Sequence, residues 1–146
     1  MPMAVVALVI IGVALTLTTF AALSANLNLS SGGTVSASAN LGVYSDSGCT
    51  QSLSNINWGT LTAGSIVSQV IYIKNTSSGL SLSLNMTTSN WNPSTANGPI
   101  TVTWNQQGTD LQPGQSVEAT ITLTVSSSEV NLNNFSVQIN IGGTNP

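Results

Sequence analysis

The hydrophobic pattern divides the chain into two stretches of different period. From Met1 to Ala25 nearly every position is apolar or small, and none is charged. About 20 apolar residues are enough to cross a bilayer as a helix. At ~1.5 Å per residue, a helix over this stretch is roughly 37 Å long. Pro2 stands at the start, where a missing N–H costs nothing. Asn26, Asn28, Ser30, Ser31, Gly32 and Gly33 then signal a helix end. The expected division is a hydrophobic helix over 1–29, a Ser/Gly hinge over 30–34 pivoting on Ser31, Gly32 and Gly33, and a second domain over 35–146.

In that second domain the period becomes two. Val35, Ala37, Ala39, Leu41 and Val43 alternate with Ser36, Ser38, Asn40 and Gly42. The same alternation runs through Leu80–Met86, Ile100–Trp104, Val117–Val125 and Phe135–Ile141. Strict alternation marks strands with one buried and one wet face. Ile66–Ile73 is more continuously apolar, which predicts a strand buried on both faces. Turn signals separate these runs at Ser47-Gly48, Ala63-Gly64, Ser78-Gly79, Asn97-Gly98-Pro99 and Pro113-Gly114, and Pro93, Pro99 and Pro113 fall in connections. About seven strands of this spacing suit an immunoglobulin-like sandwich. The fold class expected is therefore α+β, a long N-terminal helix followed by an all-β sandwich.

Three readings compete for the apolar stretch. A cleavable secretory signal calls for a basic segment ahead of the apolar run, and no Lys or Arg precedes it. A plain membrane anchor and a rod that leaves the membrane to pack against copies of itself share one composition. Small residues at Ala4, Ala7, Gly12, Ala14, Ala21 and Ala22 allow close helix approach in either case. An initiator Met before Pro is normally trimmed, so Met1 is expected to be the first residue left after a charged leader is cut off.

Charge sharpens the picture by its scarcity. Of 146 residues only Asp46, Lys74, Asp110, Glu118 and Glu129 are charged, and there is no His or Arg. One Lys cannot supply a basic footprint for nucleic acid. Acid–base catalysis draws on His, Lys or paired carboxylates, and the four carboxylates are scattered. One Cys without His cannot form a zinc set. Neither enzyme activity nor a cofactor is expected. Asp46 and Asp110 read as turn residues bonding local backbone, and Lys74 as a solubilising charge at a strand end. Polarity comes from Ser, Thr and Asn, which make up 56 of the 146 residues. That coat suits a secreted, polymerised or glycan-bearing protein.

Four Asn-x-Ser/Thr sequons are present, at Asn28, Asn75, Asn85 and Asn134. A chain so rich in these residues generates roughly three to five by chance, so orientation matters. Asn85 and Asn134 fall on the polar phase of their strands and Asn75 follows a strand end, so all three are expected to face outward. Ser- and Thr-linked sugars are equally open. Trp58, Trp91 and Trp104 read as core or edge packing, with carbohydrate stacking as the sharper alternative. Cys49 reads as a small buried hydrophobe, with an intermolecular disulfide as its alternative.

The apolar AVVALVIIGVALTLTTFAALSA at 4–25, followed by an all-β Ser/Thr/Asn-rich domain, resembles the archaeal type IV pilins. The stretches GVYSDSGCTQSLSNINWGTLTAG at 42–64 and NWNPSTANGPITVTWNQQGTDLQPGQSV at 90–117 also look like immunoglobulin-like domains of archaeal surface proteins. Bacterial pilins usually carry Glu at the fifth mature position; Val5 stands there, which favours the archaeal branch. The resemblance implies a basic leader cut by a membrane peptidase, a helix packed in a filament core, and a sandwich facing outward. The assembly helix would include Ala4, Val5, Ala7, Leu8, Ile11, Gly12, Leu15, Phe20 and Leu23. It further implies a self-polymer that is membrane-inserted before assembly, extracellular afterwards, adhesive, and open to glycans. Archaellins share this plan, and a monomeric membrane-anchored binding module is the alternative of another class. Burying about 20 apolar side chains between neighbours contributes tens of kcal/mol at ~25 cal/mol/Å² before ordering costs.

Overall fold

The computed structural model describes residues 29–128 and 132–146. The expected helix lies outside the described residues. Nine strands follow in chain order: β1 (Leu29–Ala37), β2 (Leu41–Tyr44), β3 (Asn55–Leu61), β4 (Ile66–Asn75), β5 (Leu82–Asn92), β6 (Ile100–Trp104), β7 (Asp110–Leu111), β8 (Ser116–Val125) and β9 (Asn134–Thr144). A short 3-10 turn at Ser94–Ala96 is the helical element among them. They form two sheets, one in the order β3-β1-β9-β5-β7 and the other β2-β4-β8-β6. All pairings are antiparallel except that of β1 with the C-terminal strand β9, which is parallel.

Alternation explains the layering. Each sheet turns its apolar phase inward, and one hydrophobic core joins the two. Ile71, Ile73, Ala119, Ile121 and Leu123 of one sheet and Ile139 of the other are fully buried. Each Ile or Leu among them contributes about 1.5–3 kcal/mol by leaving water. β8 and β9, both inner strands, carry the longest buried rows.

Four expectations are corrected. Ser31, Gly32 and Gly33 are not a hinge. They lie inside β1, paired with β3 on one side and β9 on the other, and Ser31 is buried with its Oγ donating to Gly59 O at 3.0 Å. Two bonded neighbours supply the backbone partners that a Ser/Gly-rich segment cannot secure alone. The alternation at 35–43 is two strands rather than one, because the chain turns through Ser38–Asn40, where Asn40 has φ 72°. The apolar run at 66–73 is not buried on both faces: Ile71 and Ile73 are enclosed, but Ile66 is 68% and Val70 41% exposed on the outer side of their sheet. β-branched residues suit a pleated backbone on either face. Strands β3 and β7 come in addition to the seven or so expected.

Gly59 and Gly33 have specific duties. Gly59 adopts φ 72° beside the irregular pairing of β1 with β3, a backbone state that glycine takes without strain. Gly33 is buried over the indole of Trp58; a Cβ there would stand 3.4 Å from Trp58 Nε1.

Candidate functional site

Asn28 and the assembly-helix residues Ala4, Val5, Ala7, Leu8, Ile11, Gly12, Leu15, Phe20 and Leu23 lie outside the described residues. The other three sequons have different surroundings. Asn134 opens β9 and is exposed, as expected. Asn85 is half-buried on β5, its amide lying across Gly142. Asn75 contradicts the outward expectation, being fully buried. Its Nδ2 donates to Leu80 O at 2.7 Å and Leu111 O at 2.8 Å, and its Oδ1 accepts from Ser77 N at 2.9 Å. The amide therefore ties the end of β4 to the following turn and to β7, leaving its nitrogen no room for a sugar.

The tryptophans pack. Trp58 is buried, with no partner for its Nε1. Trp91 stacks on Phe135 at 6.2 Å between ring centroids, and Trp104 Nε1 donates to Gln107 Oε1 at 3.0 Å. Cys49 is free and half-buried in a loop, not in the core. Asp46 organises that loop. Its carboxylate accepts from Gln51 N at 2.7 Å, from Thr50 N at 3.0 Å and from Thr50 Oγ1 at 2.8 Å. The Gln51 amide is foremost in holding the Asp46 carboxyl below its ordinary pKa. Asp110 does not share that turn role, because it pairs in β7 opposite Ser83. Tyr72 donates to Glu118 Oε2 at 3.2 Å, and this bond, with the carboxylate's charge, raises the phenol's pKa. Among the described residues no group of three or more His, Cys, Asp or Glu is placed to hold a metal ion.

The two outer faces differ. The β2-β4-β8-β6 sheet turns Thr120, Thr122 and Thr124 outward among Ile66, Val70, Tyr72 and Glu118. The other sheet is more uniform. Across β3, β1, β9 and β5, the outward positions from Asn55 to Asn57, Gly32 to Ser36, Ser136 to Gly142 and Asn85 to Ser89 hold only Asn, Gln, Ser, Thr and Gly. A hydrogen-bond chain fixes their centre. Asn90 Nδ2 donates to Gln138 Oε1, Gln138 Nε2 to Ser36 Oγ at 3.3 Å, Ser36 Oγ to Asn140 Oδ1 at 2.9 Å, and Asn140 Nδ2 to Ser89 Oγ at 2.8 Å. Beside this chain a groove of about 680 Å³ opens over Gly32, bordered by Thr34, Asn55, Asn57, Asn90, Ser136 and Gln138, with Ile56 and Val137 also in its wall.

Sequence reading missed this face because it missed β3. The signal was present, since Asn55 and Asn57 alternate with Ile56 and Trp58. No family model and no curated protein matches this chain.

Proposed function

We propose that this chain is the structural subunit of an extracellular filament of the archaeal type IV pilus kind, inserted in the membrane before assembly and polymerising through its N-terminal apolar segment for surface adhesion. The outer part would then be an immunoglobulin-like sandwich, with Asn134 as its best-placed sequon. The observation that carries the reading is the junction. In the sequence a charge-free apolar stretch ends a few residues before β1, an inner strand bonded to β3 and to β9. Force arriving along that segment would load eight parallel β1–β9 residue pairs in shear rather than peel an edge strand. That arrangement suits a domain hung on a polymer core. A nearly neutral surface also lets many copies crowd without strong mutual repulsion.

Electron microscopy of the purified full-length chain after detergent removal tests this. Regular fibres are expected, and Leu15→Lys should abolish them while the β domain keeps its unfolding temperature, since a charge in a packed apolar core is costly. A full-length chain that stays monomeric, or a Leu15→Lys variant that still forms fibres, would refute the proposal.

A further inference from the structure

The groove over Gly32 and its surroundings point to a ligand class. We infer that the outer face of the β3-β1-β9-β5 strands is a binding site for a neutral polysaccharide, lying along β9 from the Gly32 groove toward Gly142. A second hollow of about 280 Å³ lies on the same face near Gly142, lined by Ser36, Asn85, Thr87 and Asn140. From Ser136 to Gly142 along β9 is about 20 Å at ~3.3 Å per residue, enough for several sugar rings.

The lining selects the ligand by exclusion and by fit. Phosphates and nucleic acids require cations, and these outward positions have none. Protein interfaces centre on buried aromatic, Met and Arg anchors, which this face also lacks. Neutral hydroxyl-rich polymers are the complementary class. Gln138 and Asn140 each give one N–H and accept one bond within the chain, which leaves each amide one N–H and one carbonyl lone pair for a sugar hydroxyl. The bond chain through Gln138, Ser36 and Asn140 holds these amides before any ligand arrives, which lowers the entropy cost of binding. Gly32 forms the floor: a Cβ added there would meet no atom within 4 Å, so the missing side chain is what leaves the space open. No aromatic ring supplies a stacking platform. A few hydrogen bonds without a stacking platform make each site weak, with a Kd of roughly 1 mM per chain, which repeated copies on a polymer would reinforce. The inference concerns the domain alone and stands whether or not the chain polymerises.

The test is affinity electrophoresis of the full-length chain in a sugar-free zwitterionic detergent. Gels are cast with dextran, galactomannan, glucomannan or xylan, with carboxylated pectin as the charged comparison. At least one neutral polymer should retard the protein. Gly32→Leu, whose Cβ meets no atom within 4 Å, puts a side chain on the floor and should weaken that retardation at least tenfold while leaving the unfolding temperature unchanged. Thr34→Val, which removes one hydroxyl at constant shape, should weaken it several-fold and guards against misfolding of the first variant. Retardation by none of the neutral polymers, by pectin alone, or equally in wild type and in both variants would overturn the inference.

Discussion

Replacing Asn75 by Ala tests how much of this domain hangs on one buried amide. The side chain is fully enclosed and makes three hydrogen bonds, two given and one received. Their losses are unequal. Leu80 is half exposed and its carbonyl also accepts from Ser77 Oγ at 2.8 Å, so that oxygen keeps a partner. The Ser77 amide is partly buried and gains water incompletely. The bond to Leu111 O is buried, and that oxygen would lose its side-chain partner out of reach of solvent. At about 1 kcal/mol for each of the first two and up to about 3 for the buried carbonyl, the variant should lose about 3–5 kcal/mol. For a domain of this size that is a fall in unfolding temperature of roughly 12–20 °C. Urea denaturation followed by tryptophan fluorescence measures it, with Asn134→Ala as the exposed control expected within about 0.5 kcal/mol of wild type. Asn75→Asp should be at least as harmful at neutral pH, because a carboxylate would face two carbonyls. It should recover in part as pH falls, because burial raises the carboxyl's pKa and the protonated form regains one donor. A loss below about 1 kcal/mol for Asn75→Ala would refute the argument that this amide clamps β4 to β7. So would mass spectrometry that finds a glycan on Asn75 of the folded protein.

Two further outcomes follow from burial and from the Asp46 loop. Ile121→Ala should cost about 2–5 kcal/mol because its site is closed on every side, whereas Ile66→Ala, at 68% exposure, should change stability by less than about 0.5 kcal/mol; equal losses in urea melts would contradict the assignment of the two faces. The Asp46 carboxyl is held below its ordinary pKa by the Gln51 amide first of all, so the order it confers on the loop should be whole above about pH 4 and fade as pH falls through the lowered value. The amide shift of Gln51, followed by NMR, should titrate with a midpoint below that of a free Asp, and a midpoint at or above it would sink the assignment.

Much of the strand layout was legible in the chain itself. β6, β8 and β9 sit where apolar and polar residues alternate, and their buried rows are the apolar phase. Period two follows from the pleat, so the inward face of each strand is set locally. The contrast between a charge-free apolar segment and a sparsely charged polar domain is likewise a property of composition alone.

Tertiary pairing decided the rest. Ser31–Gly33 carry every local mark of a flexible link. They become an inner strand only because β9, about a hundred residues later, and β3 bond to both sides. Asn75 carries a sequon and a strand-end position, both of which suggest exposure. It is buried because the turn to β5 and the short strand β7 close over it. Ile66 is as apolar as Ile71, yet one faces solvent and the other the second sheet. The amide face exists only where four strands from distant parts of the chain lie side by side. The sequence by itself determines which residues share a face of one strand. Which faces meet, and which stay open to a ligand, depends on contacts between segments that no local pattern encodes.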